Sequence, residues 1–227
     1  MAVAPLNKYL TIAVPVAPGE QTVYTVPTGQ SSILLYAQVA NVGIGNTFPT
    51  ITMKHRRKSL AQRTSGNIRD IRLVKDAEIP PNDAIVIIDG RLVLERTAVA
   101  ADSIVIQGTQ SGVTTVTDCL YDHTTGVTTV TTINAHNFNI GDEVTMSGLA
   151  FTCAPGAYGI TTTIFPSPQK SFTVTNIIGS VGSSKTFVTN SGTVTGIAHT
   201  YVSGGLVAPL QMEFICSILE SNLAGIV

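Results

Sequence analysis

Tryptophan is absent from the 227 residues, and charge is scarce: Asp, Glu, Lys and Arg make up 12% of the chain, about half the share of an ordinary soluble domain. With 44% hydrophobic residues, that shortage excludes an intrinsically disordered chain and argues against a freely diffusing monomer with a heavily charged surface. It suits a subunit that buries surface against neighbours. Cys119, Cys153 and Cys216 are too few and too widely spaced for a disulfide framework and are expected as small buried thiols. No apolar run approaches the roughly 18 residues of a membrane-spanning helix. Met1 to Leu6 lack the basic and apolar regions of a secretory leader, so a soluble, unexported protein made in the cytoplasm is expected, without membrane partners. Glycine-rich phosphate loops, Walker sequences and serine nucleophile elbows are missing too.

What is present is strand chemistry, organised around Val23 to Asn41. Thr22 to Val26 is β-branched or aromatic throughout, and Pro27-Thr28-Gly29 is a turn by composition. Ser32 to Ala40 then alternates, with Ile33, Leu35, Ala37 and Val39 on one face and Leu34, Tyr36 and Gln38 on the other. Apolar groups on both faces predict a central strand. Further short strands are expected over Tyr9 to Pro15, from Thr50, over Ala84 to Ile88 and Arg91 to Leu94 with an Asp89-Gly90 hairpin between them, and over Asp102 to Gln107. No stretch has a helical period, which predicts an all-β protein built on an antiparallel β-sandwich of jelly-roll or Ig-like type.

Composition shifts after Thr114. Threonine occurs twenty-one times between Thr114 and Thr200, arginine vanishes, and Lys170 and Lys185 are the only basic residues there. At Gln211 to Leu219 the earlier character returns, with Met212, Phe214, Cys216 and Ile218 on one face of another central strand. The expected organisation is a sandwich of residues 1–113 and 208–227 that anchors the protein, with residues 114–207 inserted into one of its loops as a second, Ig-like β domain that projects outward. Loop tips tolerate such insertions because closure entropy grows slowly with length.

Two resemblances rest on these residues. The Tyr24-Thr-Val-Pro-Thr-Gly29 turn leading into a long strand that closes at Asn41 resembles the opening of small β-sandwich structural proteins of tailed bacteriophages. In the inserted segment, Tyr121-Asp-His-Thr-Thr-Gly126, Gly141-Asp-Glu-Val144, Leu149-Ala-Phe-Thr-Cys153 and Ala198-His-Thr-Tyr-Val-Ser203 stand in order across about ninety residues. Together they resemble a module of virion structural proteins from phages of cyanobacteria and other aquatic bacteria. The resemblance implies an exposed decoration without catalysis.

Between Lys54 and Lys75 lie eight of the thirteen basic residues, Lys54, Arg56, Arg57, Lys58, Arg63, Arg69, Arg72 and Lys75, against one acid, Asp70. Such a cluster is a candidate contact for an acidic partner or a polyanion. Nucleic acid is disfavoured, because no aromatic residues interleave for base stacking and the net charge is −1. Tyr121, Asp122, Tyr158 and Tyr201 are candidates for a carbohydrate surface, with aromatic faces for stacking and a carboxylate for hydroxyl groups. Cys119, His123, His136, Cys153 and His199 hold metal-ligand chemistry but not the spacing of a compact zinc site. Cys119 and His123 could converge only if the strand stays regular through Tyr121. A Cys153 nucleophile with His199 as base would need an exposed thiolate, and its apolar strand argues for an inert thiol.

The expectation is a non-enzymatic structural subunit of a phage virion, without cofactor or metal. It would self-assemble as a trimer or larger homo-oligomer on the head, neck or tail and contact other virion proteins. The alternative is a fibre or tail accessory protein that binds host-surface carbohydrate.

Overall fold

The computed structural model describes residues 7–56, 69–96, 100–153, 162–164, 170–193 and 198–222. Those residues are all-β, and no helix among them is long and apolar enough to cross a membrane. The chain divides into two compact units, one of Met1–Val14, Glu20–Thr109 and Met212–Val227, the other of Pro15–Gly19 and Gln110–Gln211.

The first unit holds β1 (Asn7–Pro15), β2 (Gly19–Thr25), β3 (Gln30–Asn41), β4 (Phe48–His55), β5 (Arg69–Val74), β6 (Ala84–Glu95), β7 (Ser103–Thr109) and β17 (Met212–Asn222). They form two four-stranded sheets, ordered β1-β17-β3-β6 and β2-β7-β4-β5. Leu34, Val39, Leu94, Phe214 and Ile218 of the first sheet and Ile51, Ile104 and Ile106 of the second are fully buried, each contributing about 1.5–3 kcal/mol. Tyr24 of β2 links the sheets. Its hydroxyl donates to Glu220 Oε1 at 2.8 Å and lies 2.6 Å from Ser32 Oγ, and burial pushes its phenol well above its ordinary pKa.

Two local expectations are corrected. The alternation along β3 does not run unbroken: Leu34 and then Ala37 face the core, because the register shifts between Leu34 and Tyr36. Nor does Asp89-Gly90 turn a hairpin. It lies inside the continuous strand β6, where Leu34 pairs with Leu92 and Tyr36 with Asp89. Three steps of β6 thus oppose two of β3, so the Asp-Gly pair serves a β-bulge.

The second unit holds β8 (Thr114–Tyr121), β9 (Val127–Thr132), β10 (Glu143–Ser147), β11 (Ala150–Cys153), β12 (Thr162–Ile164), β13 (Ser171–Ile178), β14 (Thr186–Asn190), β15 (His199–Ser203) and β16 (Leu206–Pro209). Where an open Ig-like pair of sheets is expected, six strands close into a barrel, β8-β16-β10-β13-β14-β9 and back to β8. β15, β11 and β12 extend from β8. The closing strand is β16, which pairs with β10 on one edge and β8 on the other. It follows β15 after only Gly204-Gly205, so one stretch of chain serves both the extension and the barrel. Gly205 must be glycine: its φ is +112°, and a Cβ there would lie 2.7 Å from Leu149 Cδ2. Val130, Val144, Met146, Phe151, Phe187 and Val207 fill the core.

Candidate functional site

The basic segment gathers at one end of the first unit. β4 and β5 pair with His55 opposite Arg69, Lys54 opposite Asp70 and Thr52 opposite Arg72. Directly opposed residues share a face, so Lys54, Asp70 and Arg72 lie on one side and His55 and Arg69 on the other. Two of the cations are paired: Lys54 with Glu20 of β2, and Arg56 Nη1 with Asp70 Oδ1 at 3.0 Å. Pairs this close to solvent add about 0–1 kcal/mol each. Arg69 and Arg72 are exposed and have no ion-pair partner among the described residues. Arg57, Lys58 and Arg63 lie outside the described residues.

A residue that sequence reasoning did not single out organises this end. Asp102 is fully buried. Its Oδ1 accepts the backbone N–H of Arg56 at 2.7 Å and its Oδ2 that of Glu95 at 3.1 Å, and His55 Nδ1 lies 3.3 Å from Oδ1. Through its backbone, Asp102 N donates to Glu95 O and Val26 N donates to Asp102 O, while Arg96 Nη1 donates to Val26 O at 3.0 Å. Asp102 therefore ties three segments together, those of β4 and β6 through its carboxylate and the one after β2 through its backbone carbonyl. An acid directly before an apolar strand was the available signal, but only the fold shows which amides it meets.

In the second unit the four motifs resolve into structural devices. Asp122 Oδ1 accepts from the backbone N and Oγ1 of Thr124 at 2.9 and 2.6 Å, and Oδ2 from Thr125 Oγ1 at 2.8 Å. Gly126 N donates to Asp122 O. These bonds close the β8–β9 hairpin and hold the Asp122 carboxyl well below the usual carboxylate range. In the second motif, Asn139 N donates to Asp142 Oδ2 at 2.8 Å, and Asp142 O accepts from Val174 N, which aligns β10 with β13. The third and fourth motifs pair with each other, Phe151 opposite Tyr201 and Cys153 opposite His199. Their rings form one cluster with the first motif: His199 stands edge-on to Tyr121 at 5.6 Å, and Phe151 to Tyr201 at 5.9 Å.

Among the described residues the expected carbohydrate surface does not assemble. Tyr121 is buried and donates its hydroxyl to Gly192 O at 2.7 Å. Half-buried Tyr201 directs its hydroxyl to Gly204 O at 2.8 Å, with burial raising its pKa. Asp122 is engaged in its own turn, and Tyr158 lies outside the described residues. Cys119, His123 and His136 do not converge either, while Cys153 is paired in register with His199. Cys119 is buried, which, with Asp118 beside it, pushes its thiol up to about 12, whereas His123 sits in the turn after β8. His136 is sandwiched with Phe138, ring centroids 4.8 Å apart, and meets Phe187 edge-on; burial lowers its pKa. Among the described residues no group of three or more His, Cys, Asp and Glu could hold a metal ion.

No protein-family model and no curated protein matches the sequence. Among solved structures, the chain is similar to the stem and receptor-binding domain of the spike protein P1 from bacteriophage PM2, at 7% identity over 94% of this chain and 96% of that one. The TM-score is 0.23, a likeness too slight to bear on the fold.

Proposed function

We propose that the protein is a non-enzymatic structural subunit of a phage particle, in which the first unit anchors and self-assembles and the second is displayed. The observation that carries this reading is the strand order of the first unit. Numbering its eight strands in sequence, the sheets run 1-8-3-6 and 2-7-4-5, the arrangement of a jelly roll, an architecture used by viral capsid and lectin domains. The scarcity of charge and the four ordered motifs support the virion assignment, and the motif resemblance alone supports the narrower assignment to a phage of cyanobacteria or other aquatic bacteria. No cofactor enters this reading. The motif residues make turns and core contacts, as a display module requires, and the basic end would face an acidic surface within the particle.

The competing reading, a fibre that binds host carbohydrate, loses three of its four expected contact residues to internal bonds. Immunogold labelling of intact particles with an antibody to residues 114–207 tests the proposal. Regular label on particles supports display, its position separates head from neck and tail, and particles that lack the protein by mass spectrometry would sink the virion assignment.

A further inference from the structure

We propose that the β5–β6 edge of the first unit is a self-association surface with oppositely charged ends, so that the basic end of one copy docks on the acidic end of another. This rests on the reading that the chain self-assembles, and it names the surface. β5 and β6 are the outer strands of their respective sheets. At one end of the edge stand Arg69 and Arg72, exposed, while their neighbours Lys54 and Arg56 are already matched by Glu20 and Asp70.

At the other end, the connection from β5 to β6 carries exposed Asp76, Glu78 and Asp83 against Lys75 alone. Their hydrogen bonds are to neutral groups. Asp76 Oδ1 accepts from Thr50 Oγ1 at 3.0 Å, Glu78 accepts from Asn46 Nδ2, and Asp83 Oδ1 accepts from Ala84 N at 2.7 Å. Among the described residues no ion pair matches their negative charge. The two patches are offset along the chain: Arg69 stands seven residues before Asp76 and Arg72 four, at most roughly 23 and 13 Å of extended chain, against a screening length of about 8–10 Å at physiological salt. On the same two strands, Ile71 is 43% exposed and Val86 51%, which supplies apolar area. A second copy is the fitting occupant because each chain carries both signs; a foreign acidic protein would leave the acidic end unmatched. Head-to-tail contacts of this kind close into rings or extend as filaments.

Sedimentation velocity on the full chain at low and high salt tests the surface. The wild type should assemble at low salt, with association weakening roughly tenfold or more at high salt. A chain carrying Arg69→Glu and Arg72→Glu, and a chain carrying Glu78→Lys and Asp83→Lys, should each dissociate. An equimolar mixture of the two should reassemble, because each reversed end meets its complement. A monomeric wild type would overturn both this surface and the self-assembly reading. Assembly that ignores salt, or that survives both reversals, would overturn the surface and leave self-assembly standing. A mixture that stays dissociated would refute the pairing of opposite ends. Should a variant fail to fold by circular dichroism, the wild-type salt series decides.

Discussion

Asn190 stands so close over Gly126 that a methyl group on the glycine would lie 2.7 Å from its Oδ1, with the Gly192 carbonyl carbon as near on another side. Gly126 also has φ +77°, so both space and backbone demand glycine at the end of the first motif. Gly126→Ala should cost roughly 2–4 kcal/mol, strain plus overlap. Gly182, at φ +84° with nothing within 4 Å, is the control: its alanine variant should cost only about 1–2 kcal/mol of strain. Urea denaturation of the two variants measures the difference, and equal losses would refute the close contact.

Tyr121→Phe removes a buried donor and leaves the Gly192 carbonyl without it. The expected loss is about 1–2 kcal/mol in the same assay. A stability unchanged from wild type would refute a net contribution from this bond.

Much of this could be read from the residues, and what could not has a common cause. β3 and β17 were legible as central strands because both faces of each carry apolar groups, and they pair with each other over most of their length. The hairpin closed by Asp122 is local as well. Barrel closure was not legible: it depends on Leu206 and Val207 of β16 meeting Thr115 and Thr114, residues more than ninety positions apart, and four residues after a Gly-Gly pair give little strand signal. The Asp89-Gly90 pair misled for the opposite reason, since a bulge and a turn ask for the same residues and only the partner strand decides between them. The basic cluster was legible as composition, whereas its anchor Asp102 was not, because its partners lie in three other segments.

Asp102→Ala should be among the most damaging single changes at the basic end. It takes the acceptor from the partly buried amides of Arg56 and Glu95 and removes the carboxylate beside His55, for an expected loss of about 2–5 kcal/mol. Denaturant titration checks it, and a loss below that of Tyr121→Phe would refute the organising role.

Stability should fall at both extremes of pH. Burial depresses the pKa of His136 in the folded protein, so its contribution is complete above the unfolded value of about 6.5 and is lost as pH falls through the folded one. Cys119 and Cys216 are pushed up to about 12 by burial. Their contribution is complete below an unfolded value of about 8.5 and disappears as pH rises through the folded one. Denaturation midpoints across pH for the wild type and His136→Asn, which keeps an acceptor for Phe138 N, check the acid limb. An acid limb as steep in the variant as in the wild type would rule out His136 as its source.

The closed ring of the second unit also bears on how the protein fails when heated or concentrated. Every strand of the six-stranded barrel has its hydrogen-bonding edges occupied by neighbours, and among the described residues the exposed margin of that sheet is β12 alone. Among the described residues the first unit instead ends its sheets at β1, β6, β2 and β5, four margins on which another strand can template. Disordered aggregation should therefore nucleate on the first unit, with the barrel carried along as a folded passenger.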